Sequence, residues 1–208
     1  MNNSPGVQLL AEELGVEAEH IAHALEIATD TLAAVHTSRI ADMTAQQYRR
    51  LNRRDHHAVA IVANLAMRHA GRIDDAHTLM SVYKTSAGIN PHHTISRKGV
   101  GTRPEHHSHT YVQQVIRILQ AADLPPVHTD GTRELRPGFR IIPGCEQLPG
   151  WVYIAPDPDC DSRSGFAGGR RGYLRVMRWA KWGVIDQPIT DDLWAAVHPD
   201  HLTKPNPS

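Results

Sequence analysis

Apolar residues change period once along this chain, and that change constrains its fold more than any motif does. Up to Ala122 they recur at helical spacing, and beyond Leu124 they fall in short extended runs separated by turn residues. Val59, Ile61, Val62, Leu65, Ala66 and Met67 predict a helix over Ala58–Ala70, ended by Gly71. Leu79, Met80, Val82 and Tyr83 predict a second over Asp74–Ala87. It ends at Gly88, with Asn90-Pro91 forbidding continuation. A basic loop, 88–105, leads to a third helix from His106 to Ala122, with Tyr111, Val112, Val115, Ile116, Ile118 and Leu119 as its apolar set. Asp130-Gly131 between Pro126–Thr129 and Thr132–Arg136 is a hairpin signal, and Gly138–Ile142 and Trp151–Ala155 read as further strands.

The flanks are less patterned. Val7–Leu14 predicts a helix broken by Gly15, and Glu17–His36 a second one with Ile21, Leu25, Leu32 and Val35 as its stripe. Pro156–Gly172 is rich in Pro, Gly, Asp and Ser and reads as a linker. Tyr173–Trp182 reads as a basic helix and Asp191–Val197 as a short last helix capped by Thr190. The tail from His198 is expected to be disordered. The expected fold is mainly α with a small β-wing.

Charge divides the chain in a second way. Net charge is zero, yet residues 1–38 hold six acids and no Lys or Arg, while residues 39–103 carry eleven basic residues against four acids. The organisation expected is an acidic helical hairpin over 1–38, a basic domain over 39–155, and a linker, basic helix and tail over 156–208. An asymmetry of this kind predicts an acidic partner for the middle segment. Eighteen of the 22 basic residues are Arg, whose planar fork suits phosphates and guanine edges, although GC-rich coding gives the same bias.

Ala11, Gly15, Val16 and Ile21 stand where a helix-turn-helix places its small residue, its turn and its core, so Val7–Glu26 resembles that motif. Its second helix would present Glu17, Ala18, Glu19, Ala22 and His23, a surface poor in donors for a polyanion. A hairpin for dimerisation or a protein partner is the favoured role. Three helices followed by a basic hairpin, from Ala58 to Ile154, resemble a winged helix in order, with a longer loop before the third helix than that family has. Together with the Gly138-Phe139-Arg140 element, this order is loosely similar to the helix-turn-helix immunity repressors of actinobacterial phages. The resemblance implies a winged-helix-like domain after a helix-turn-helix-like hairpin, and a sequence-specific DNA-binding regulator.

Candidate nucleic-acid-binding residues follow from charge and placement. Arg49, Arg50, Arg53 and Arg54 fall within six residues, and helical spacing would set them one turn apart in like-charged pairs. A phosphate backbone or the acidic residues 12–26 would neutralise them. Arg97, Lys98 and Arg103 lie in the loop. Ser108, His109, Gln113 and Arg117 would face a groove from the third helix. Arg133, Arg136 and Arg140 would arm the wing.

Other constellations carry less. Fifteen histidines, several adjacent, invite a metal reading, but neighbours on a helix point about 100° apart. Only His106 and His109 stand out at shared-ligand spacing, and scattered surface imidazoles are the expected state. His107-Ser108-His109 before Tyr111 lacks the His-hydrophobe-His strand of rolling-circle nucleases. The glycines of 165–172 lack the ending of a phosphate loop. Cys145 and Cys160 make no disulfide framework.

The expectation is therefore a non-enzymatic, cytoplasmic protein that binds double-stranded DNA, with no cofactor, metal or membrane span. A transcriptional regulator or repressor stands first. A replication or packaging adaptor joining DNA to a protein is the alternative, and a protein-interaction or virion component is the reading from another class.

Overall fold

The structure, a computed structural model, describes residues 4–88, 104–126, 128–129, 134–136, 138–144, 150–156, 164–185 and 193–202. It is mainly helical, with a small antiparallel four-stranded sheet. The chain forms two compact units, Met1–Met80 and Ser81–Ser208, whose boundary falls inside one helix. Among the described residues no helix is long and apolar enough to cross a membrane.

The first unit is helical throughout. α1 (Pro5–Leu14) starts with Pro at N1, where its fixed φ and missing N–H cost nothing. Val7, Leu10 and Leu14 give it one fully buried face. Gly15 closes it at φ 63°, the left-handed conformation that glycine adopts without strain. α2 (Ala18–Ala28) buries Ile21, Leu25 and Ala28. α3 (Ala34–Ala41) and α4 (Ala45–Arg49) are short, and α5 (Arg53–His69) is the longest helix of the unit. α2 and α5 form its most extensive helix pair. α5 buries Ala58, Ala60, Ala63 and Ala66 beside Val59, Val62 and Met67, and such small side chains allow helices to pack closely. α6 (Ile73–Ser86) contains the boundary between the units.

The expected helix from Glu17 to His36 is two helices. Thr29 turns its hydroxyl onto the Leu25 carbonyl at 2.9 Å, and residues 29–33 leave the helical path. The apolar stripe stops with it: Ile21 and Leu25 are buried, but Val35 is 60 % exposed.

The second unit sets helices against the sheet. α7 (Pro104–Ala121) precedes a two-stranded hairpin, β1 (His128–Thr129) and β2 (Glu134–Arg136), which flanks the predicted Asp130-Gly131 turn. The turn itself lies outside the described residues. β3 (Phe139–Pro143) and β4 (Trp151–Pro156) fall within a residue of the predicted strands. They are followed by α8 (Gly169–Trp179), β5 (Gly183–Val184) and β6 (Trp194–Val197). The sheet order is β3-β4-β6-β5, with every neighbouring pair antiparallel. α7 packs on β3, β4 and α8, and its Val115, Ile118 and Leu119 are buried. Val152 and Ile154 of β4 are buried while Trp151 and Tyr153, on the other face, are half-buried.

A winged-helix arrangement is not confirmed among the described residues. α5 packs with α1, α2 and α3 in the first unit, and α7 packs on the sheet in the second. Three expectations are corrected. Trp194–Val197 is a strand, because β4 pairs with it from Trp151↔Val197 to Ile154↔Trp194. Such long-range pairing overrides local helical preference. The expected linker holds core: Ser164, Phe166 and Ala167 are buried, and Arg175 donates to the Phe166 carbonyl while covering its ring. The expected tail makes a 3₁₀ turn, Pro199–His201.

Candidate nucleic-acid interface

The strongest concentration of sequence-predicted residues is an elbow between α4 and α5. Thr44 caps α4 in a reciprocal box: its hydroxyl accepts from the Gln47 N–H, and the Gln47 side chain accepts from the Thr44 N–H. Buried Tyr48 and Met43 hold this turn in the core. The helix stops after Arg49, and α5 restarts at Arg53 with Asn52 as its N-cap, accepting from the Asp55 N–H at 2.9 Å. The four arginines therefore do not form stripes on one helix. Arg49 ends α4, Arg50 follows it, and Arg53 and Arg54 open α5.

All four arginines are exposed, and none of their guanidinium groups makes a hydrogen bond or ion pair with another described residue. The acidic residues 12–26 do not neutralise them. Asp55 is the carboxylate next in sequence, and it is already occupied. Its oxygens take the Asn52 amide at 2.8 Å and the Arg39 guanidinium at 3.3 Å, with His36 at 3.8 Å. Arg53 and Arg54 also stand at the positive end of the α5 macrodipole, where cations are disfavoured and anions favoured. Beside the elbow lies a cleft of about 660 Å³ between α3, α4 and α5, with Ile40 and Met43 among its apolar lining and Arg39, Arg50 and Asn52 among its polar lining.

The remaining candidates are described only in part. Arg97, Lys98, Arg103 and Arg133 lie outside the described residues. Ser108 and His109 fall in the first turns of α7, and Arg136 in β2, with their side chains outside the description. Gln113 and Arg117 of α7 are half-buried, and Arg117 is engaged with other groups. Arg140 is exposed on β3 and is likewise engaged.

A second polar constellation, in the sheet-containing unit, has no counterpart in the sequence reading. Tyr111 of α7 and His201 Nε2 are 3.0 Å apart, and the Tyr111 ring lies against His198 at 4.6 Å. Trp182 meets His198 edge-on at 5.1 Å. Burial, then the Asp200 carboxylate, push the Tyr111 phenol up, so it stays protonated, and the tautomer of His201 decides which of the two groups donates. Burial lowers the His198 pKa, against the opposing pull of Asp200. Gly150, at φ 82°, lies so close under His201 that a Cβ there would be 2.2 Å from Cδ2 of the ring. The histidine i,i+3 spacing was present in the sequence, but the partner lies 90 positions away in Tyr111. This cluster fastens residues 198–201 to the unit.

No protein family, curated protein or solved structure matches the chain.

Proposed function

We propose that the chain is a DNA-binding regulator that docks on the phosphate backbone of duplex DNA through the Arg49–Arg54 elbow. One observation supports the reading: four exposed arginines fall within six residues at the α4–α5 elbow, two of them opening α5, and their guanidinium groups have no partner among the described residues. Like charges this close repel, and an external polyanion removes that cost. Arg offers phosphate paired donors, so the residue type agrees with the placement. The α1–α2 hairpin, acidic and closed by Gly15, serves protein contacts in this reading, with a dimer as the simplest form. Repression of transcription is the role we assign to the regulator.

Affinity for a random-sequence duplex, measured from low to moderate salt, tests the docking step. A phosphate-docking protein loses affinity steeply, with a log–log slope of about −0.9 per contact. A flat salt dependence, or no binding to any duplex at low salt, would overturn the proposal. Selection of bound sequences from a random pool then tests regulation, because a regulator enriches a motif.

A further inference from the structure

Two imidazoles from different helices of the first unit lie within reach of one shared ion. His20 sits in the first turn of α2, and His69 is the last residue of α5. Their Nδ1 atoms are 2.8 Å apart. At that distance one nitrogen must carry a proton and the other a lone pair, because two facing lone pairs or two facing protons repel. A metal ion replaces the shared proton and lets both nitrogens act as ligands. With metal–nitrogen bonds of about 2.0–2.1 Å, two ligand nitrogens stand about 2.9 Å apart at a right angle and about 3.3 Å apart at the tetrahedral angle. The observed separation is therefore a few tenths of an ångström short of a ligand pair.

The surroundings favour a cation. His23 follows His20 by one turn, and its ring centroid is 4.2 Å from that of His69, against 5.0 Å for His20. Glu26 places a carboxylate oxygen 3.9 Å from His23 Nδ1. His69 ends its helix, where the macrodipole is negative. Nearby cations are occupied: Arg68 with Asn64 and His77, and Arg72 with the Leu14 and Gly15 carbonyls and Asp75. His69 is exposed and the other two histidines are half-buried, so an ion can enter from solvent. As the side chains stand, no group of three or more His, Cys, Asp or Glu among the described residues converges on one ion position.

We propose that His20 and His69 together bind a divalent first-row transition ion, with His23 as the nearest auxiliary ligand and water in the other positions. The ion would clip α2 to α5 across 49 residues of chain. Imidazole ligands favour zinc, nickel and copper over calcium or magnesium.

The test uses the untagged full chain titrated with zinc chloride, followed by calorimetry and by thermal unfolding. One tight equivalent and a rise in Tm are expected, since a ligand that binds only the folded state stabilises it. His20→Ala and His69→Ala should each weaken the tight site by at least about tenfold, a typical loss for a disturbed metal site. His23→Ala should weaken it less, and His57→Ala, near the other end of α5, should leave it intact. A tight site that survives both the His20 and His69 variants would overturn the proposal, as would the absence of heat and Tm shift in the unmutated chain. A check without mutation comes from substoichiometric Cu²⁺: it should broaden the ring resonances of His20 and His69 first, and broadening led by other histidines would count against the site.

Discussion

Arg72 and the four arginines of the elbow belong to the same helical unit and are held in opposite ways. Arg72 is tied into the fold: it donates to Leu14 O at 3.0 Å and Gly15 O at 2.7 Å and pairs with buried Asp75. It thereby satisfies carbonyls that the end of α1 leaves open. Arg49, Arg50, Arg53 and Arg54 do none of this. Guanidinium groups that close a helix end are fold elements. The elbow guanidinium groups have no partner among the described residues, and in the function proposed above they meet phosphate. The difference separates arginine that closes the fold from arginine that the described fold leaves exposed, without reference to sequence spacing.

The largest effect should come from the elbow. Replacing its four arginines with Ala should lower duplex affinity by at least about a hundredfold at low salt and flatten the salt slope by about three to four. Thermal stability should hold or rise, because mutual repulsion is relieved. Lost stability with retained binding would reverse the comparison. Next comes Arg72→Ala, which leaves Asp75 buried beside an empty site. A loss of about 2–3 kcal/mol in urea unfolding is expected, with the salt slope of DNA binding unchanged. Gly150→Ala, a control in the other unit, forces a Cβ into His201 at positive φ. It should cost about 1–3 kcal/mol and leave DNA binding untouched.

The smallest effect concerns pH. The His198 pKa is lowered in the folded chain below its ordinary value of 6.5. Below that value the unfolded chain takes up the proton more readily than the folded one, so stability is full above pH 6.5 and falls on acidification toward the folded pKa. His198→Gln should flatten this part of the stability–pH curve. A curve of unchanged shape would place the acid sensitivity elsewhere.

Helix positions and stops were legible where apolar period and glycine agreed. α6 and α7 and the strands β3 and β4 fall within a residue or two of their sequence limits, and Gly15, Gly71 and Gly88 all adopt positive φ. Failures came where distant pairing decided the outcome. Trp194-Ala195-Ala196-Val197 has no strand alternation, being buried on both faces, and only β4 and β5 make it a strand. Phe166 reads as part of a loop until the face of α8 covers it. The arginine cluster was visible as composition. The break that parts it, set by the Asn52 cap, was not, because Arg50–Arg54 alone looks continuous with a helix. Histidines misled by adjacency: the imidazoles that matter stand at i,i+3, with His20 and His23 both against His69, and His198 and His201 against each other and Tyr111, partners far along the chain.

The order of the sheet also sets a schedule for synthesis. β6 lies between β4 and β5, yet the ribosome makes it after both of them. Until Val197 has left the exit tunnel, β4 has β3 on one side and a bare ladder of backbone groups on the other. The second unit therefore cannot close its sheet strand by strand during translation. It must wait with that edge exposed, and a transcript truncated just before Trp194 would yield a chain prone to pair with its neighbours rather than with itself.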